Sequence, residues 1–87
     1  MIANFTVLQA SNNSGQKTIS VTAWEDSQGG SESITFDILG EIHTVSVNLP
    51  ANAVQPVTIS NYTTSGTGWV KVTAANTQQT IKQWLTV

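Results

Sequence analysis

His43 is the only histidine in the chain, and cysteine is absent. Without thiols there is no disulfide, no thiolate metal site and no cysteine nucleophile. A single imidazole cannot build a histidine-rich metal centre, so oxygen ligands are the only metal chemistry left. The carboxylates are Glu25, Asp26, Glu32, Asp37 and Glu41, all within one short window. In the stretch EDSQGGSE, Glu25, Asp26 and Glu32 surround a glycine pair. Carboxylates and carbonyls of such a loop can converge on calcium, but the spacing departs from the EF-hand pattern. The plainer reading is a solvated connection between strands, and no metal site is assigned. His43 has serine, threonine and acidic residues as possible partners, yet these are spread throughout the chain and mark no constellation. With Leu39-Gly40 as a two-residue turn, His43 lies opposite Phe36 near a hairpin end, as a rim histidine. G-x-S-x-G, H-E-x-x-H and a phosphate-binding glycine loop are all missing. The expectation is a non-enzyme with no catalytic residue and no cofactor.

Charge narrows the partners. Only 9% of the 87 residues are charged, the net charge is −2, and there is no arginine. Lys17, Lys71 and Lys82 are too few to neutralise a phosphate backbone, so no nucleic-acid partner is expected. The opening MIANFTVLQA has neither a basic region nor a sustained apolar run, and no later stretch is long enough to cross a bilayer. Neither a signal peptide nor a transmembrane segment is expected. A chain of this length buries a modest fraction of its surface, which raises the expectation of self-association or docking.

The elements that must position these residues are strands. Apolar residues recur with period two and no segment sustains a helical period. The alternation predicts strands near Ala3–Gln9, Lys17–Glu25, Glu32–Leu39, Glu41–Leu49, Val57–Tyr62, Trp69–Ala75 and Thr80–Val87. Between them lie the turn-rich Ser11–Gly15, the loop Asp26–Ser31, Leu39-Gly40, the ANAVQP and TTSGTG segments, and NTQQ. Ile19, Val21, Ala23, Ile34, Phe36, Ile38, Val45, Val47, Leu49, Val57, Ile59, Val70, Val72 and Ile81 take the inward parity, with Phe36 the central core candidate. Seven short strands with frequent turns predict one all-β domain over 1–87, an antiparallel two-sheet sandwich.

All three tryptophans fall on the polar parity. Trp24 alternates with Thr18, Ser20 and Thr22; Trp69 shares a face with Lys71 and Thr73; Trp84 shares one with Lys82 and Thr86. A turn over Asn76–Gln79 would set Val70 opposite Leu85 and Ala74 opposite Ile81. Lys71 would then face Trp84 directly, with Trp69 its diagonal neighbour. Structural explanations compete. A bulge would turn Trp24 inward, Trp69 and Trp84 would lie over lysine stems, and Gln83 at an inward position puts the register in question. Two tryptophans on adjacent strands of one face nevertheless mark a contact surface, so Trp69, Lys71, Lys82 and Trp84 are the candidate partner-binding residues.

The strand order, the segment GWVKVTAAN before the last hairpin and the closing WLTV resemble immunoglobulin-like modules of phage and virion accessory proteins and bacterial surface proteins. The antibody-type Cys…Trp…Cys signature is absent, and Tyr62 precedes the Trp69 strand, so no tyrosine corner is expected. The resemblance implies an immunoglobulin-like sandwich of about seven strands. It also implies a surface accessory role, such as a capsid decoration protein docked on a larger assembly, at a virion surface or outside the cell. Two other readings stay open. Coplanar aromatics among Thr, Asn and Gln suit a carbohydrate-binding module or small lectin. A last strand that accepts a neighbour's strand suits a subunit of a filament or adhesin.

Overall fold

The alternating apolar residues become seven strands: β1 (Ile2–Asn13), β2 (Gln16–Glu25), β3 (Gly30–Ile38), β4 (Glu41–Leu49), β5 (Val54–Ser60), β6 (Thr67–Ala74) and β7 (Thr80–Thr86). They are seen in a computed structural model that describes all residues from Met1 to Val87 and contains no helix. The chain is all-β, and its strands form two antiparallel sheets in the orders β1-β2-β5 and β4-β3-β6-β7. The sheets pack face to face as a sandwich. Ile19, Val21 and Ala23 of β2 meet Ile34, Phe36 and Ile38 of β3 and Val70, Val72 and Ala74 of β6, all essentially without solvent contact. These are the inner strands of their sheets, so both their neighbours and the facing sheet cover them.

Several boundaries differ from the alternation, each for a local reason. Strand β1 runs on to Asn13, and only Ser14-Gly15, both at positive φ, make the turn into β2. Hairpin turns of that hand match the twist of the flanking strands. Inside β1 the buried residues are Ile2, Phe5 and Leu8, spaced by three, because two register shifts interrupt its pairing with β2. Each bulge adds a residue and flips the parity. Strand β5 starts at Val54 and ends at Ser60; Pro56 is tolerated because β5 is a sheet edge. Tyr62 lies past its end yet is buried in the core. The Leu39-Gly40 turn forms as expected, and His43 pairs with Phe36.

The β6–β7 register is corrected by two positions. Val70 pairs with Gln83 and Val72 with Ile81, in place of Leu85 opposite Val70 and Ile81 opposite Ala74. The loop is Ala75–Gln78: Ala74 N–H donates to the Gln79 carbonyl and Gln78 N–H to the Ala74 carbonyl. Gln78 takes φ 60°, an unusual conformation for glutamine that nothing in its residue type announces. A two-residue shift preserves parity, so the inner and outer faces stay as expected. Gln83 has inward parity but is exposed, and Ile81 is half-buried. Strands β4 and β7 are the margins of the wider sheet; β7 packs against β1, while β4 has β3 as its only substantial neighbour.

Candidate docking face

The four expected partner-binding residues come together on the outer face of β6 and β7. Trp69 pairs directly with Trp84, and Lys71 with Lys82. The expected pairing of Lys71 with Trp84 is thereby replaced, and the two indoles touch. Their centroids lie 5.2 Å apart with an interplanar angle of 83°, an edge-to-face contact. Quadrupole attraction favours this geometry over a stacked sandwich. Lys82 Nζ sits 4.3 Å from the Trp69 ring centroid, holding one face of that ring by cation–π attraction. Trp69 remains 52% exposed and Trp84 56%, so mutual contact and lysine cover leave over half of each residue in water.

The face continues across the sheet in two rows. Lys71 is flanked by Lys82 on one side and Asp37 on the other, with exposed Ile42 paired to Asp37 at the margin. The next row is Thr44, Thr35, Thr73 and Thr80, one from each strand. The surface is therefore aromatic at one end, sparsely charged in the middle and hydroxyl-rich beyond. Because the indoles are nearly perpendicular, they offer no shared flat platform, and the expected coplanarity does not occur.

Trp24 is separate, on the outer face of the other sheet. Its Nε1 donates to Thr6 Oγ1 at 2.8 Å and it pairs with exposed Val54. The bulges lie on β1, not β2, so Trp24 stays outward.

The acidic window does not converge on one point. Glu25 and Glu32 share the parity of the core residues on their strands, and both are buried. Glu32 bridges the sheets: Oε1 accepts from Ile2 N–H, and Oε2 from the N–H groups of Asn76 and Thr77. Burial works to raise its pKa, but the donors of Ile2, Thr77 and Asn76 together hold it below the ordinary value. The Glu25 carboxylate and Asp26 Oδ1 meet the Met1 ammonium at 2.6 and 3.0 Å, joined by the Gly29 carbonyl at 3.1 Å. Glu25 and Asp26 thus surround the chain's own amino group, while Glu32 is engaged by backbone donors elsewhere. That ammonium is the first cause of the lowered Asp26 pKa, followed by the Gln28 N–H.

Glu41 closes the opposite end. It accepts from the hydroxyls and N–H groups of Thr63 and Thr64, and its Oε2 lies 2.6 Å from His43 Nε2. The Thr64 hydroxyl foremost, then His43, holds this carboxyl far below the usual carboxylate range. His43 therefore faces a carboxylate already engaged in pinning the loop after β5, with no nucleophile bonded to it. An open groove of about 570 Å³ runs beside Gln16, Thr18, Thr58 and Ser60. Its lysine, Lys17, is spent on the Thr64 carbonyl at 2.8 Å and lies over the Tyr62 ring.

Sequence reasoning missed Glu32 and Glu41 as organising residues. Their inward parity was the available signal, since an acid in phase with core residues demands donors. The donors themselves lie 22 to 45 positions away in the chain, beyond any local pattern.

No family model, no curated protein and no solved structure matches this chain.

Proposed function

We propose that this protein is a non-enzymatic interaction module that docks on a larger protein assembly through the outer face of β6 and β7. Trp69 and Trp84 form the centre of the contact, with Lys71 and Lys82 beside them. One observation carries the reading: two indoles in mutual contact remain more than half exposed on a well-formed sheet. Aromatic side chains at the centre of an interface bury large areas at small entropic cost and dominate binding energies. The concrete form proposed is a virion surface accessory protein, such as a capsid decoration protein. That is the role implied by the resemblance to immunoglobulin-like surface modules.

The row of four threonines on the same face as the indoles, beyond the lysine row, favours a glycan as the second reading, because hydroxyls there could hydrogen-bond a sugar. The perpendicular indoles and the lysine over Trp69 rank it lower, since sugar stacking uses an open ring face. The test is co-sedimentation of the purified protein with candidate particles, alongside a glycan array, for wild type and Trp84→Ala. Particle occupancy lost in Trp84→Ala supports docking. Glycan retention lost in that variant, with no particle binding by wild type, replaces it with the lectin reading.

A further inference from the structure

We propose that β4 is a self-association edge, where a second copy of this chain adds its own β4 antiparallel across a two-fold axis at Val45. Open sheet edges present unpaired N–H and C=O groups, and proteins ordinarily blunt them with bulges, prolines, charges or covering segments. Three of the four edges here are treated in that way. Strand β1 carries two bulges, with Val7 at φ 53° in the second, and β5 carries Pro56. Strand β7 carries Lys82 and packs against β1. Strand β4 has none of these. It is nine residues long, pairs with β3 without a register shift, and has no charged residue or proline between Ile42 and Leu49.

The hairpin geometry fixes which groups face outward. A two-residue turn at Leu39-Gly40 makes Ile38 and Glu41 a hydrogen-bonded pair, so the odd-numbered residues of β4 bond to β3. The N–H donated by Leu39 to the Trp69 carbonyl agrees, since it directs the odd-numbered groups of this part of the chain at β3's other neighbour. The backbone groups of Ile42, Thr44, Ser46 and Asn48 therefore point to the free edge, and none is satisfied by another main-chain group outside the sheet ladders.

The occupant follows from symmetry and charge. Antiparallel pairing about Val45 sets Ile42 opposite the second copy's Asn48, and Thr44 opposite its Ser46. Each such pair exchanges both bonds, about eight in all. The same register keeps faces matched. His43, Val45 and Val47, half-buried on the inner side, meet Val47, Val45 and His43 of the other copy and extend both cores. The edge-facing Ile42, Thr44, Ser46 and Asn48 are uncharged, and Glu41 at the end of the contact is already engaged by His43, Thr63 and Thr64. Two chains of net charge −2 therefore bring no like charges face to face there. The axis stands perpendicular to the joined eight-stranded sheet, so both Trp69–Trp84 pairs face the same side. On strand spacings they lie on the order of 40 Å apart. If the docking face acts as proposed above, the dimer binds bivalently and gains effective concentration for its second contact.

Sedimentation equilibrium over a range of concentrations tests the pairing, with the monomer mass set at 9.3 kDa. Wild type is expected to approach twice that mass. Thr44→Pro removes an edge-facing donor and no main-chain bond to β3, only the hydroxyl contact with Thr35, and should weaken dimerisation at least about tenfold while the circular dichroism spectrum stays unchanged. Should that variant unfold, Ser46→Lys serves instead, placing a charge at the edge without altering the backbone. Val45→Cys gives a positive readout in a chain without other thiols. Opposed across a non-hydrogen-bonded pair, the two cysteines should oxidise to a covalent dimer, whereas Thr58→Cys on β5 should not. A wild type that stays monomeric at several hundred micromolar overturns the proposal, as does dimerisation unaffected by Thr44→Pro or Ser46→Lys. A dimer abolished by Trp84→Ala alone overturns it too, by moving self-association to the tryptophan face. Loss of partner binding in Trp84→Ala with the dimer intact bears on the docking face only, so the two proposals fail separately.

Discussion

Glu32 on β3 accepts the backbone N–H of Ile2 on β1 at 2.7 Å, tying the first strand of one sheet to the centre of the other. The same carboxylate holds the loop between β6 and β7 through Asn76 and Thr77. One buried side chain thus joins three segments and sets where the last hairpin turns. Glu32→Ala leaves the buried Ile2 N–H and the part-buried N–H groups of Asn76 and Thr77 without an acceptor. A loss of about 1–3 kcal/mol is expected, chiefly because the buried Ile2 N–H is stranded without a partner. Urea unfolding measures it, and a loss below about 0.5 kcal/mol would show that the carboxylate does not organise this end.

Acid should unfold the protein in a defined window. Glu41, Glu32 and Asp26 all have folded pKa values below their ordinary ones. A carboxyl with a depressed folded pKa contributes stability above its unfolded pKa, and that contribution disappears as pH falls through the folded value. The melting temperature should therefore be level from about pH 7 to pH 5 and fall below about pH 4. Glu41→Gln should shrink that fall while lowering the melting temperature at neutral pH. An acid limb of unchanged height in Glu41→Gln would count against the role of the Thr63 and Thr64 donors.

Val7 is a β-branched residue held at φ 53° and 62% exposed. That conformation costs about 1–3 kcal/mol for such a side chain, and little packing offsets it. Val7→Gly should stabilise the fold by about 1 kcal/mol, after allowing for glycine's greater freedom when unfolded. Thermal denaturation would register a rise of roughly 4–8 °C. A fall would mean that the valine side chain supports the bulge.

Phe36 has no exposed surface and sits among β2, β3 and β6 residues. Phe36→Ala should cost about 3–5 kcal/mol, a large share of the roughly 5–15 kcal/mol typical of native domains. Ile81, half-buried at the margin of the wider sheet, should cost less on the same truncation. Equal losses at the two positions would contradict the placement of Ile81 at the margin of the core.

Trp84→Ala should leave the sandwich folded, because the indole contacts an exposed partner rather than the core. The expected loss of stability is about 0.5–1.5 kcal/mol, the worth of an aromatic pair. Binding to the partner should fall by about 2 kcal/mol or more. Unfolding of the isolated domain would place Trp84 in the fold's own machinery and remove the docking argument.

Period-two alternation alone determined that this chain is all-β, which residues of β2, β3 and β6 fill the core, and that all three tryptophans lie outside. Parity is a local property of a pleated strand, so it survives even a two-residue error in pairing. The same alternation could have exposed Glu25 and Glu32 as buried acids, because they keep step with Ile19 and Ile34. It could not show which strands are neighbours, so the partners of Glu32 and Glu41 stayed hidden. Nor did residue types announce the bulges of β1, the left-handed Gln78 or the register in which Trp84 meets Trp69. Which edge lies open was likewise decided by tertiary packing, as β1 shields β7 while β4 has β3 as its only substantial neighbour. Side-chain pattern records which way a residue faces. Contact across a sheet depends on where distant strands come to rest, and that is settled only when the two sheets close on each other.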